Sequence, residues 1–303
     1  MKIAVFSDIH ANIYAFRAAL ADARQQGVGG YFFLGDMITD LPWANEVYDI
    51  IRGLNHVKII RGNRERIILE LDRQGEHRNY RQLASICWTY DVLSAENKAY
   101  ISALPDELTF ELRGTRFHLN HRPEDIWGKR TADGLHHFTK PNENHCDYVN
   151  IMKAAVQNNP DVSSMPHGIY LYGHHHGQWH WRLGGTVIMA PGSCGLAADN
   201  ETRAEYSILT YQGGRWDVQE RLIEYDRHTM LRDFRSSALY AASPIWSEAT
   251  ALTIETGWEN LHLLFKHLDD VCGQRGVRYK FCPNDIWETE GRKWLDEYKN
   301  LIT

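Results

Sequence analysis

The sequence predicts an α/β fold that opens on a parallel sheet, and three observations carry that reading. A strand, loop, helix pattern occurs three times in the first seventy residues, hairpins with apolar alternation follow residue 105, and helical periodicity takes over near Asp226.

The run KIAVFSD is a short apolar stretch ending on a carboxylate, which reads as a buried strand entering a loop at its carboxyl end. Ile13, Phe16, Ala19, Leu20 and Ala23 then recur at helical spacing through Arg24. YFFLGD begins the second unit, continued by Val47, Ile50, Ile51 and Leu54, and HVKIIRGNRE begins the third, running into IILELD. Such units imply right-handed connections with every loop on one sheet edge, where ligands bind. Residues 80–103 read as helical, and LTFEL, RGT and RFHLNH as a hairpin. The polar stretch from Pro123 to Asn144 reads as a long loop over the site, followed by a helix over 146–157. GIYLYGHHHG is another apolar strand, QWHWRL and TVIMAPGS pair around Gly184 and Gly185, and EYSILTY pairs with RWDVQERLIEY. In the tail, Trp258, Leu261, Leu264, Phe265 and Leu268 form an apolar stripe that reads as packing. These boundaries divide the chain into a main domain over 1–225 and a helical C-terminal extension over 226–303 packed on it.

With 303 residues, 43% hydrophobic and 24% charged, the composition is that of an ordinary globular chain. A net charge of −6 excludes broad neutralisation of nucleic-acid phosphates, though not a local pocket for one phosphate. No apolar run approaches the roughly eighteen residues needed to span a bilayer, and the N-terminus is not a signal peptide, so no membrane association and a cytoplasmic location are expected. The five cysteines are widely spaced without a CxxC pair, as reduced thiols would be. The sixteen histidines depart from the ordinary and cluster in a few short segments.

Five elements carry chemistry: Asp8-Ile9-His10, Gly35-Asp36, Gly62-Asn63-Arg64-Glu65, His121, and Gly173-His174-His175-His176. Singly, each reads equally as a helix cap or a turn. Together, five strand ends supply carboxylate, amide and imidazole donors and no thiolate, which suits Mn, Fe, Zn or Mg. Two divalent ions sharing a carboxylate, able to clamp both attacking and leaving oxygens, account for the set economically.

The series DIH, GD, GN, H and GHxH resembles the signature of the calcineurin-like metallophosphoesterase family over roughly Met1 to Tyr225, and the PGS at 191–193 is similar to its branch of bacterial phosphodiesterases and diadenosine tetraphosphatases. The resemblance implies a four-layer αββα sandwich. It implies further that Asp8, His10 and His176 hold one metal and Asn63, His121 and His174 the second, with Asp36 bridging. Two divalent ions (Mn, Fe, Zn, Ni or Mg, with Mn favoured) would then generate a bridging hydroxide as the nucleophile.

Two positions depart from the pattern. Arg64 stands where many relatives place a histidine that protonates the leaving group; arginine cannot, but it can clamp phosphate in a fork, and a surface ion pair with Glu65 is the other reading. Arg122 replaces a glycine common after the histidine and is a candidate phosphate contact. His175, if its segment is extended, points away from its neighbours and is a candidate substrate contact. Asn12 can reach a phosphate oxygen or cap the following helix. His118 reads as structural, and Cys194 as a small buried residue.

The expected activity is hydrolysis of a phosphodiester, phosphomonoester or nucleotide phosphoanhydride, with catalytic roles for Asp36 and Arg64 and a phosphorylated small molecule or nucleotide as substrate. Without a histidine acid, good leaving groups are favoured. The rival reading is a catalytically silent metal-binding scaffold that recognises a partner, which retention of all seven candidate ligands disfavours. The tail aromatics are consistent with packing, with a cover over the site, or with a homodimer.

Overall fold

The computed structural model describes residues 1–71, 75–122, 145–157, 162, 164–277 and 280–302. The chain runs β1 (Lys2–Phe6), α1 (Ile13–Gln25), β2 (Gly30–Phe33), α2 (Ala44–Arg52), β3 (Val57–Ile59), α3 (Asn63–Glu70), α4 (Ala84–Val92) and α5 (Ala95–Ala103). It continues through β4 (Glu107–Leu112), β5 (Thr115–Asn120), α6 (His145–Gln157), β6 (Ile169–Leu171), β7 (Gln178–Leu183), β8 (Thr186–Pro191), β9 (Ala204–Gln212) and β10 (Arg215–Ile223). Five helices close it: α7 (Arg227–Arg235), α8 (Ala238–Ala242), α9 (Pro244–Thr256), α10 (Asn260–Gln274) and α11 (Asn284–Ile302).

Two five-stranded mixed sheets result, ordered β10-β9-β1-β2-β3 and β4-β5-β6-β8-β7. The pairs β1–β2 and β2–β3 are parallel, as the three repeated units require, while β9 joins β1 antiparallel. Period-two alternation builds the layers. Ala4 and Phe6, with Tyr31 and Phe33, face the helical side and pack with Phe16 and Leu20 of α1. Ile3, Val5 and Phe32 face inward against Phe117, Leu119, Ile169, Leu171, Val187 and Met189 of the second sheet. The opposite face of that sheet, through Tyr170, Ile188 and Trp179, packs on Met152 and Val156 of α6. Helix, sheet, sheet, helix is thus the layer order, the αββα sandwich.

In the tail, Met230 and Phe234 of α7 enter the core that contains α1. Helices α9 to α11 assemble a core of their own from Trp246, Leu252, Leu264, Leu268, Trp287 and Trp294. The expected loop over Pro123 to Asn144 lies outside the described residues.

Candidate metal centre

The five chemical elements meet at the carboxyl ends of the strands. Past β1 and β2 the two loops zip together: the Asp8 amide donates to the Gly35 carbonyl at 3.0 Å, His10 to Asp36 at 3.0 Å and Ala11 to Met37 at 2.9 Å. Within the second sheet the Gly173 amide donates to the His121 carbonyl at 3.0 Å, and the His174 amide joins the two sheets by donating to Oδ2 of Asp8 at 3.0 Å. These loops concentrate left-handed backbone on residues with side chains: Asp8, His10, Asp36, Thr39, Asp40, His174 and His176 all have φ between 49° and 75°. Such conformations cost about 1–3 kcal/mol each and persist only where the surroundings over-determine them. The His174 to His176 segment is therefore not extended, contrary to the expectation from alternation.

Glycine is required where the loops crowd. A Cβ on Gly62 would lie 2.1 Å from Oδ1 of Asp36, and one on Gly195 would lie 1.8 Å from the Ile9 carbonyl. Gly195 belongs to the segment after PGS, which grips the β1 loop: Oγ of Ser193 donates to the Asp8 carbonyl at 2.7 Å, and the amides of Cys194 and Gly195 donate to Ser7 and Asp8. Cys194 is buried, with its thiol pushed up by burial, which opposes the thiolate form.

Two donor groups form. Asp8, His10 and His176 converge in one, and Asp36, His121 and His174 in the other, with the donor atoms of each within 4.8 Å of one another. In the first, the Nε2 atoms of His10 and His176 stand 3.0 Å apart, and Oδ1 of Asp8 lies 3.8 Å and 3.5 Å from them. Donors bound to one ion at about 2.0–2.2 Å stand roughly 3–3.6 Å apart, so the spacing fits a single cation. Oδ1 of Asp8 is buried and accepts no hydrogen bond, as a carboxylate oxygen directed at a cation would be. In the second group, Nε2 of His121 lies 3.4 Å from Oδ2 of Asp36 and 2.9 Å from Oδ1 of Asn63, which brings the seventh candidate ligand into place.

Burial opposes the charged forms of Asp8, His10, Asp36 and His121, yet the attraction of their neighbours wins. Imidazoles of His10 and His176 hold Asp8 well below the usual carboxylate range, and His121 with His10 holds Asp36 at about 2. Conversely, Asp40 and Asp8 push His10 up to about 10, and Asp36 pushes His121 up to about 9. The outer nitrogens are engaged: Nδ1 of His121 donates to the Leu34 carbonyl at 2.8 Å, and Nδ1 of His10 to Oδ2 of Asp40 at 2.7 Å.

Arg64 lies at the start of α3. It does not pair with Glu65: Nε faces Oδ2 of the fully buried Asp40 at 3.7 Å, and the guanidinium stacks 5.2 Å from the Trp246 ring. Glu65 turns inward to accept from the amides of Gly62, Asp36 and Met37 and from the Tyr48 hydroxyl. Asn12 is buried and takes its capping role: Oδ1 accepts from the Ala15 amide, while Nδ2 donates to the Gly195 carbonyl and the Tyr225 hydroxyl. That leaves no amide hydrogen directed at substrate. His175 is also buried, its ring 5.9 Å from that of Tyr172. Arg122 follows His121 directly and is half-buried. His118 meets Thr109 across the β4–β5 hairpin, a structural role.

Asp40 and Glu259 join the site without having stood out in the sequence, and Trp246 joins it as one of the tail aromatics. Asp40 is four residues past Asp36 in the segment GDMITD, and the other two lie in the tail.

The family described as "calcineurin-like phosphoesterase superfamily domain" matches residues 1–214. An uncharacterised protein of Methanocaldococcus jannaschii, MJ0912, is 26% identical over 227 residues, covering 74% of this chain and 88% of its own. A metallophosphoesterase from Sphaerobacter thermophilus superposes with a TM-score of 0.59 at 21% identity, over 85% of this chain and all of that one. The hypothetical protein PH1004 of Pyrococcus horikoshii does so with 0.58 at 19%, over 84% and 98%. The match over residues 1–214, together with a fold and a donor set that agree with it, shows that the chain belongs to the calcineurin-like phosphoesterase superfamily.

Proposed function

We propose that this protein hydrolyses a phosphodiester, phosphomonoester or nucleotide phosphoanhydride with two divalent ions, manganese being the preferred metal. Asp8, His10 and His176 would hold one ion and Asn63, His121 and His174 the other, with Asp36 as the carboxylate common to both. The observation that carries this reading is the convergence of two donor triads from four strand ends, with Asn63 of a fifth beside His121, where the two sheets meet. Hard oxygen and imidazole donors without thiolate suit manganese, iron or magnesium as well as zinc.

Two divalent ions held there would supply an activated water and positive charge for the attacking and leaving oxygens of an in-line displacement. The chain does the rest. Asp8 and Asp36 stay ionised because imidazoles surround them. Asp40 and the Leu34 carbonyl take the Nδ1 protons of His10 and His121, which turns the Nε2 lone pairs inward. Arg64 offers a fixed cation to a phosphate oxygen and to the charge that grows in the transition state. It holds its proton at neutral pH, so the leaving group must depart without help from this position. Substrates with good leaving groups, nucleotide phosphoanhydrides and aryl esters, are favoured on that account.

The test is hydrolysis of bis-p-nitrophenyl phosphate, p-nitrophenyl phosphate, diadenosine tetraphosphate and an alkyl phosphate by metal-stripped protein given Mn, Ni, Mg or Zn. Faster turnover of the anhydride or the aryl esters than of an alkyl phosphate supports the reading. Equal rates for aryl and alkyl leaving groups contradict the assignment of Arg64.

A further inference from the structure

The family match ends at residue 214, yet two side chains of the C-terminal extension stand behind the histidines of the first donor group. Oε2 of Glu259 lies 3.5 Å from Nδ1 of His176. Nε1 of Trp246, in α9, donates at 2.5 Å to Oδ1 of Asp40, whose other oxygen accepts from Nδ1 of His10. Both imidazoles of this group therefore face a carboxylate at the outer nitrogen: His10 is hydrogen-bonded to Asp40, which the tail tethers, and the buried Nδ1 of His176, without a hydrogen bond among the described residues, has Glu259 of the tail at ion-pair distance. In the second group the corresponding contacts of His121 and Asp36 come from the main domain: His121 uses the Leu34 carbonyl, and the Asp36 carboxylate accepts from the Arg64 amide.

We infer that the C-terminal extension is a working part of the metal centre, with Glu259 and Trp246 as positioning residues that set the affinity of the Asp8, His10, His176 site. The inference rests on the two-ion reading above. A carboxylate at the outer nitrogen fixes the tautomer, orients the ring and makes the inner nitrogen a better donor, and losing such a partner typically costs 10- to 100-fold in metal affinity. Glu259 is free to serve in this way: it precedes α10 at the N-cap position, but its side chain makes no capping hydrogen bond. Its carboxylate is mostly buried, at 15% exposure, beside a histidine at 12%.

The experiment is calorimetric titration of metal-free full-length protein with Mn2+, and with Co2+ followed by visible absorption, for wild type, Glu259→Ala, Glu259→Gln and Trp246→Phe. Thermal unfolding of each metal-free variant reports folding. Wild type is expected to take two ions. Glu259→Ala is expected to weaken one of them about 10- to 100-fold and leave the other unchanged. Glu259→Gln, which keeps an acceptor oxygen, recovers part of the loss, and Trp246→Phe weakens the same ion. Two ions in wild type with unchanged affinities in folded Glu259→Ala overturn this inference alone. Fewer than two ions in wild type overturn the two-ion reading beneath it.

Discussion

The backbone amide of Arg64 donates to Oδ1 of Asp36 at 2.8 Å, so the first turn of α3 holds the carboxylate whose second oxygen faces His121 at 3.4 Å. Arg64 thus serves the site through its backbone and its side chain separately. Asp36→Asn keeps the acceptor for that amide but loses the shared charge. It is expected to bind fewer than two Mn2+ ions and to lower kcat/KM on the order of 1,000-fold, about 4 kcal/mol, as colorimetric assay with bis-p-nitrophenyl phosphate and metal analysis will read.

Substitution of the Arg64 side chain leaves the amide contact in place and removes the cation. A hydrogen bond to a charged group contributes about 1.5–3 kcal/mol, so Arg64→Ala should lower kcat/KM roughly 10- to 150-fold, through kcat as well as KM. Arg64→His installs a group that can give up a proton. Its rate on alkyl relative to aryl phosphates should exceed that of wild type, and an unchanged ratio would count against the leaving-group argument.

His10 and His121 have pKa values pushed up to about 10 and about 9, so both imidazoles are protonated in the metal-free protein at pH 7.5. Metal must displace those protons, and its affinity should climb with pH from about 6.5 until the imidazoles are neutral between 9 and 10. Calorimetry in two buffers of different ionisation enthalpy should show close to two protons released as both sites fill. The same elevation means that these imidazoles stabilise the metal-free fold fully below pH 6.5, and that this contribution is lost as pH rises through 9 to 10. Metal-free protein should therefore unfold more readily at pH 10 than at pH 7.

Glu65 is buried and accepts from three backbone amides and one hydroxyl. Glu65→Gln turns one acceptor oxygen into a donor facing donors, which should cost on the order of 3 kcal/mol. Thermal unfolding measures this, and a Tm within a degree of wild type would show that the loops past β2 and β3 do not depend on it.

The ligand positions were legible because each closes a short apolar run: strand ends of one sheet fall on one edge, and packing the two sheets face to face brings the two edges together. Asp8, Asp36, Asn63, His121, His174 and His176 all have that property. Asp40 does not: its side chain reaches His10 only because Thr39 and Asp40 adopt left-handed backbone, with φ of 73° and 68°, which the segment GDMITD does not announce. Trp246 and Glu259 were hidden for another reason. Helical spacing in the tail marks which residues pack, and the hydrogen bond from Trp246 to Asp40 spans 206 residues that no local pattern connects. Glu65 reads as a partner for Arg64 until the tight approach of Gly62 to Asp36 turns it inward.

The central claim is that two ions at the paired donor groups perform the chemistry, and it is tested most directly by titrating metal-stripped protein with Mn2+ while following hydrolysis of bis-p-nitrophenyl phosphate. The predicted result is activity that rises to a break at two equivalents, is abolished by chelation and restored by Mn2+, and is absent from Asp36→Ala at every metal concentration. Two equivalents bound without turnover of this substrate, p-nitrophenyl phosphate or diadenosine tetraphosphate, or activity that survives in Asp36→Ala, would contradict it.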